Sequence, residues 1–148
     1  MGGIRGKYFN QFTEEEIRIG YNSMIQELKV LPKVHPIKEL FADAWIDFML
    51  GKFSYDGATF VKERNLLTIF EVAAFIHDWR NCKGYVGKAI DNEFMCVMIV
   101  LNYKPNIIIE RWLFMRLTFL NIVRHRFLGT INNKKPDNLF KIYPPPYQ

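Results

Sequence analysis

The chain is short of the residues that build small sites and small folds. It has two cysteines, Cys82 and Cys96, and three histidines in 148 residues. Two cysteines exclude a disulfide-built mini-protein and a zinc site of four thiolates. Both stand in helical sequence, where reduced, buried thiols are the expectation. No run of eighteen apolar residues escapes interruption by charge, so nothing spans a membrane by itself. Met1-Gly2-Gly3-Ile4-Arg5-Gly6-Lys7 lacks the apolar stretch of a signal peptide. The myristoylation pattern that Gly2 opens is left without its Ser or Thr. There is no internal repeat. Acids are in modest deficit, 15 against 20 Lys and Arg, for a formal charge of +5. That balance permits a phosphate or acidic partner and requires neither.

Apolar material is plentiful. Hydrophobic residues make 49% of the chain, with thirteen Phe, seven Tyr and three Trp. This is enough for a core and excludes a disordered tail. The length is about one domain.

Helical signals dominate. Thr13-Glu14-Glu15-Glu16 is a capping box, and Ile17, Tyr21, Met24, Ile25 and Leu28 follow at helical spacing until Pro32. Pro36 opens a second helix over Ile37 to Leu50, closed by Gly51. Residues 52–64 break the pattern around Asp56-Gly57, giving an irregular loop or small hairpin. Further helices are predicted over Leu66 to Asn81, Lys88 to Asn102 and Ile107 to Leu128, the last ended by Gly129. The fold expected is mainly α: about five helices in one compact domain over 13–129. Extended arms flank it, an N-terminal one over 1–12 and a Pro-rich C-terminal one over 130–148.

In the last helix Arg116 falls inside a broad apolar face with Trp112, Met115 and Phe119. Either it snorkels to an edge or the face meets a partner, or an internal acid pairs with it, with Glu71, Asp78 and Asp91 as candidates.

Chemistry concentrates in Glu71-Val72-Ala73-Ala74-Phe75-Ile76-His77-Asp78. Adjacent helical positions point about 100° apart, so His77 and Asp78 divide their labour. His77 suits a general base, and Asp78 a ligand for a hard cation such as calcium. Asp91, fourteen residues on, comes back beside His77 if the two helices are antiparallel. A calcium ion also needs backbone carbonyls from a tight loop, and Tyr55-Asp56-Gly57-Ala58-Thr59 is placed to offer them.

This constellation resembles the phospholipase A2 site in its parvoviral capsid form: a Tyr-x-Gly-x-Gly loop, an acid-x-Ala-Ala-x-x-His-Asp helix, and a later Ala-Asp. It is similar also to a small phage-borne family of uncharacterised function. That family shows an Ala-x-x-His-Asp-Trp helix, an Asp-x-x-Phe helix, and a long helix ending near Val-Arg and Phe-x-Gly. The matching residues are Ala74, His77, Asp78 and Trp79; Asp91 and Phe94; Val123 and Arg124; and Phe127-Leu128-Gly129. The resemblance spans roughly Tyr55 to Gly129, about half the chain. It implies His77 as base, Asp91 as its orienting acid, and Asp78 as calcium ligand beside the carbonyls of Tyr55, Gly57 and Thr59. The sequence departs from the pattern at Asn81, where a tyrosine is expected, at Thr59 for the second loop glycine, and at Glu71 for an aspartate. A structural reading stands beside the catalytic one: Glu71, His77, Asp78, Asp91 and Arg116 as a polar cluster tying helices together, with no cofactor.

Other signals are weaker. Pro144-Pro145-Pro146-Tyr147 matches the proline-rich ligands that dock on aromatic grooves, but the expectation is an extended arm lying along a neighbour. Arg124, Arg126, Lys134 and Lys135 offer phosphate contact, although cations at a helix C-terminus also answer the macrodipole. His35 reads as a turn residue, and His125 lacks a partner at metal-ligand spacing. Richness in Lys, Asn and Ile suits an AT-rich genome. The expectation is a phage virion protein of the neck, tail or interior, made in the host cytoplasm and working in a multi-subunit assembly. Its alternatives are a calcium-dependent lipid-ester hydrolase and a small basic nucleic-acid-associated protein.

Overall fold

The computed structural model describes residues 6–57, 69–117 and 135–142. Within them lie five helices: α1 (Glu14–Leu28), α2 (Pro36–Met49), α3 (Val72–Cys82), α4 (Lys88–Val100) and α5 (Pro105–Leu117). A short 3-10 turn, Phe9–Gln11, precedes them. The mainly α, compact architecture expected from the sequence is what the protein adopts.

Local chemistry sets the helix starts. The Thr13 hydroxyl accepts the Glu16 N–H at 3.0 Å, and the Glu16 carboxylate accepts the Thr13 N–H at 2.8 Å. Pro36 fills the first turn of α2, and His35 is more than a turn residue, because its Nδ1 accepts the Ile37 N–H at 3.1 Å. Gly51, at φ +76°, ends that helix in the left-handed region.

The third helix begins later than periodicity predicts. Residues 69–71 are not helical, and Glu71 is extended at φ −132°, ψ 139°. The cause is Tyr55, whose hydroxyl donates to the Ile69 carbonyl at 2.7 Å and accepts the Glu71 N–H at 3.1 Å. One side chain therefore holds the approach to α3 straight, an effect invisible to helical periodicity. α4 stops at Val100 and Asn102 takes φ +65°, so the chain turns earlier than expected. α5 opens at Pro105, two residues before the expected start.

α3 is the central element. Every residue from Val72 to Arg80 is buried, as befits a helix covered on all sides. It packs on α1, α2 and α4, and α4 packs on α5. At one end an aromatic cluster gathers around Phe48, whose ring lies 5.3–5.9 Å from those of Phe9, Phe12, Phe53 and Phe75. Gly20 makes this cluster close-packed, since a Cβ there would stand 2.3 Å from the Phe70 ring.

The segments flanking the helices are packed where they are described. Lys7 and Tyr55 exchange backbone hydrogen bonds at 3.0 and 2.9 Å, an isolated antiparallel bridge. Among the described residues there is no hairpin in 52–57; that stretch pairs with the N-terminal segment instead. Residues 135–142 dock on α3 and α4: Asn138 accepts from Arg80, and the Phe140 N–H donates to Glu93 at 2.9 Å. Of the two cysteines, Cys96 is buried as expected and Cys82, at the end of α3, is exposed.

Candidate functional site

The α3–α4 hairpin brings His77 and Asp91 together. His77 Nε2 lies 2.9 Å from Asp91 Oδ1, and the two residues are only 6% and 1% exposed. The second Asp91 oxygen accepts from Arg116 Nη1 at 2.8 Å, so of the three candidate acids Asp91 is the partner of that guanidinium. The Asp91 carboxylate is removed from water and needs such directional pairing, because without partners it would carry an uncompensated desolvation cost of several kcal/mol, about 3–5. The other imidazole nitrogen, Nδ1, faces the Asn81 side-chain amide at 3.4 Å. The Phe94 ring covers the imidazole with centroids 4.7 Å apart. Asn81 thus sits on the nitrogen through which a general base would take a proton.

The polar cluster expected from the sequence divides into separate pairs. Glu71 does not join His77; it binds Arg111, with contacts of 2.5 and 3.3 Å. Asp78 points away from His77 toward the 55–57 loop, where the Asp56 N–H reaches its Oδ2 at 3.5 Å. Burial pushes the Asp78 carboxyl well above the usual carboxylate range, and the neighbouring Asp56 carboxylate adds to the shift. The adjacent positions 77 and 78 therefore serve different sites, as their angular offset on the helix requires.

Calcium takes six to eight oxygens. The loop brings Asp56 beside Asp78, and Gly57 turns at φ +84°. The Tyr55 carbonyl, however, already accepts the Lys7 N–H. No group of three or more His, Cys, Asp or Glu side chains among the described residues could hold a metal. Thr59 lies outside the described residues.

Two interior charges escaped the sequence reading. Arg80 and Glu93, 1% and 2% exposed, form a two-pronged pair at 3.0 and 2.8 Å. Arg80 also donates to the side chain and carbonyl of Asn138. A signal was there: Glu93 sits at helical spacing from Ile90 and Val97, an acid in an apolar stripe, just as Arg116 is a base in one. Glu27 was missed as well. It accepts the Tyr103 hydroxyl at 2.6 Å and the Val72 N–H at 3.2 Å. Burial raises its pKa to about 7. Its spacing from Met24 and Leu31 is the same as that of Glu93 from Ile90 and Val97, so the same signal was there.

No family model, curated protein or solved structure matches this chain. Of the remaining expected contacts, Val123, Arg124, Arg126, Phe127, Leu128, Gly129, Lys134, Pro144, Pro145, Pro146 and Tyr147 lie outside the described residues. Lys135 is exposed. Among the described residues no helix is long and apolar enough to cross a membrane.

Proposed function

We propose that this chain is a structural or assembly protein of a phage virion, of the neck, tail or interior, whose His77–Asp91 pair is a structural tie. The observation that carries the reading is closure. Both imidazole nitrogens of His77 and both carboxylate oxygens of Asp91 face partners within the protein. A site built to act on a substrate keeps one of those atoms for it. The phage resemblance supplies the context, and the surface supports assembly: Tyr8, Met49 and Leu50 line one cavity at the end of α2, each substantially exposed. Contiguous exposed apolar side chains mark contact surfaces more often than chance. The test is recovery of the chain from purified particles. A fixed stoichiometry in the particle is the expected result, and a chain that remains monomeric and absent from particles overturns the reading.

A second reading is a calcium-dependent lipid-ester hydrolase. One observation favours it: a carboxylate holds Nε2 of His77, the orientation that presents Nδ1 as a base, and the Asn81 contact there is long at 3.4 Å. This reading expects ester hydrolysis by the purified chain that rises with added calcium and disappears in His77→Gln. Equal, background-level turnover by both proteins ends it.

A further inference from the structure

Between α1 and α2 lies an apolar cavity of about 430 Å³, lined by no residue of the His77 cluster. Its floor is aromatic. Trp45 lies 4.7 Å from Tyr21 and stacks on Phe41 at 6.2 Å, centroid to centroid. Lys29 and Lys38 also line it, and no carboxylate does. Within the described residues no hydrogen bond uses the Trp45 indole N–H or the Tyr21 hydroxyl. The Lys38 ammonium makes one long contact, 3.5 Å to the Lys33 carbonyl, which leaves it donors to spare. The cavity thus combines flat aromatic faces with a set of hydrogen-bond donors and cations.

The complementary ligand is apolar, rich in acceptors and poor in donors. A proline run has this chemistry. Proline has no N–H, and the polyproline II helix makes no internal hydrogen bonds, so its carbonyls stay free to accept. Such segments dock on aromatic-lined grooves because the ligand is already ordered and loses little entropy. The chain carries one: Tyr143-Pro144-Pro145-Pro146-Tyr147. Those residues lie outside the described ones, but the last aromatic residue before them is well placed. The Phe140 ring sits 5.8 Å from that of His35, the residue that caps α2. Lys38 and Phe41 of the cavity follow within the next two turns of that helix.

We propose that the α1–α2 cavity is a binding site for a polyproline II segment, and that its occupant is the Tyr143–Tyr147 sequence of this protein. The proline rings lie on Trp45, Phe41 and Tyr21, and the indole N–H and tyrosine hydroxyl donate to proline carbonyls. This site is separate from the His77 cluster, so it stands whether that cluster is structural or catalytic.

The test uses the full chain with Pro144, Pro145 and Pro146 all replaced by Ala, to which a synthetic peptide of the native 143–148 sequence is added. The side-chain N–H signal of Trp45 is followed by NMR. Saturable movement of that signal is expected. Tyr21→Phe, introduced into the same chain, should weaken binding about fivefold, the worth of one hydrogen bond near 1 kcal/mol. A peptide with the three prolines replaced by alanine should bind at least tenfold more weakly than the native one. The proposal is overturned by no movement at Trp45, by equal binding of the two peptides, or by changes confined to α3 and α4. Trp45→Phe, which keeps the ring and loses the donor, serves as the second variant if Tyr21→Phe perturbs the fold.

Discussion

Around Phe48 the interior is filled by rings, while around Arg80 and Asp91 it is filled by charges, and α3 runs through both. Phe75, on one side of that helix, meets Phe41, Trp45, Phe48, Phe53 and Tyr55. His77 and Arg80, on other sides, meet Asp91 and Glu93. Ring packing depends on area and volume and forgives exchange of similar shapes. Paired charges depend on direction and forgive almost nothing once a partner is gone. One helix therefore has a tolerant face and an intolerant one.

The contrast can be broken most directly at Arg80. Arg80→Met leaves the Glu93 carboxylate buried and takes both donors from Asn138; the loss should be about 3–5 kcal/mol in denaturant unfolding. Adding Glu93→Leu should recover most of it. A single-variant cost below about 1 kcal/mol would mean that the charged region is no stricter than the aromatic one.

Glu27, at the other end of α3 beside Val72, tests a buried carboxyl through pH. Its folded pKa, about 7, lies above its ordinary 4.5, so the folded state holds a proton that the unfolded chain has released. Stability is then full below pH about 4.5 and falls as pH rises toward about 7, by on the order of 3 kcal/mol. Glu27→Gln mimics the protonated form and should flatten that slope in unfolding measured across the range. A slope of the same sign should survive in that variant, because burial raises the Asp78 carboxyl too.

The aromatic region should yield smaller effects. Gly20→Ala drives a methyl into the Phe70 ring and should cost about 1–3 kcal/mol, read as a lowered Tm. Phe48→Leu keeps most of the volume and should cost only about 1 kcal/mol by the same measurement. If Phe48→Leu proved as costly as Arg80→Met, the tolerant face would not be tolerant.

Much of the fold was legible because its signals are local. The Thr13–Glu16 box, Pro36 and Gly51 each act within a few residues of where they stand, and the helices they bound appear there. The start of α3 was not legible, since Tyr55 sets it from fourteen to sixteen residues away. The candidate site behaved the same way. Its residues could be named from motif order, but their pairing depends on which faces of α3, α4 and α5 meet. Sequence periodicity marked Arg116 as a buried charge without saying that Asp91 takes it and that Glu71 goes to Arg111. Asn81 stood out as a departure from the pattern, yet only the structure puts it on His77 Nδ1.

The Glu27–Val72 hydrogen bond reaches into how the molecule folds. Glu71, the residue in the capping position of α3, makes no cap hydrogen bond with its side chain, which is given over to Arg111. The first amide of the helix is closed instead from α1, forty-five residues upstream. That closure has to wait for a long loop to come together, with its entropy already lost, before the amide has an acceptor. α3, the helix on which α1, α2 and α4 pack, therefore begins without a local cap. Its first turn belongs to the later, cooperative stage of folding, and the capped α1 is the better starting point.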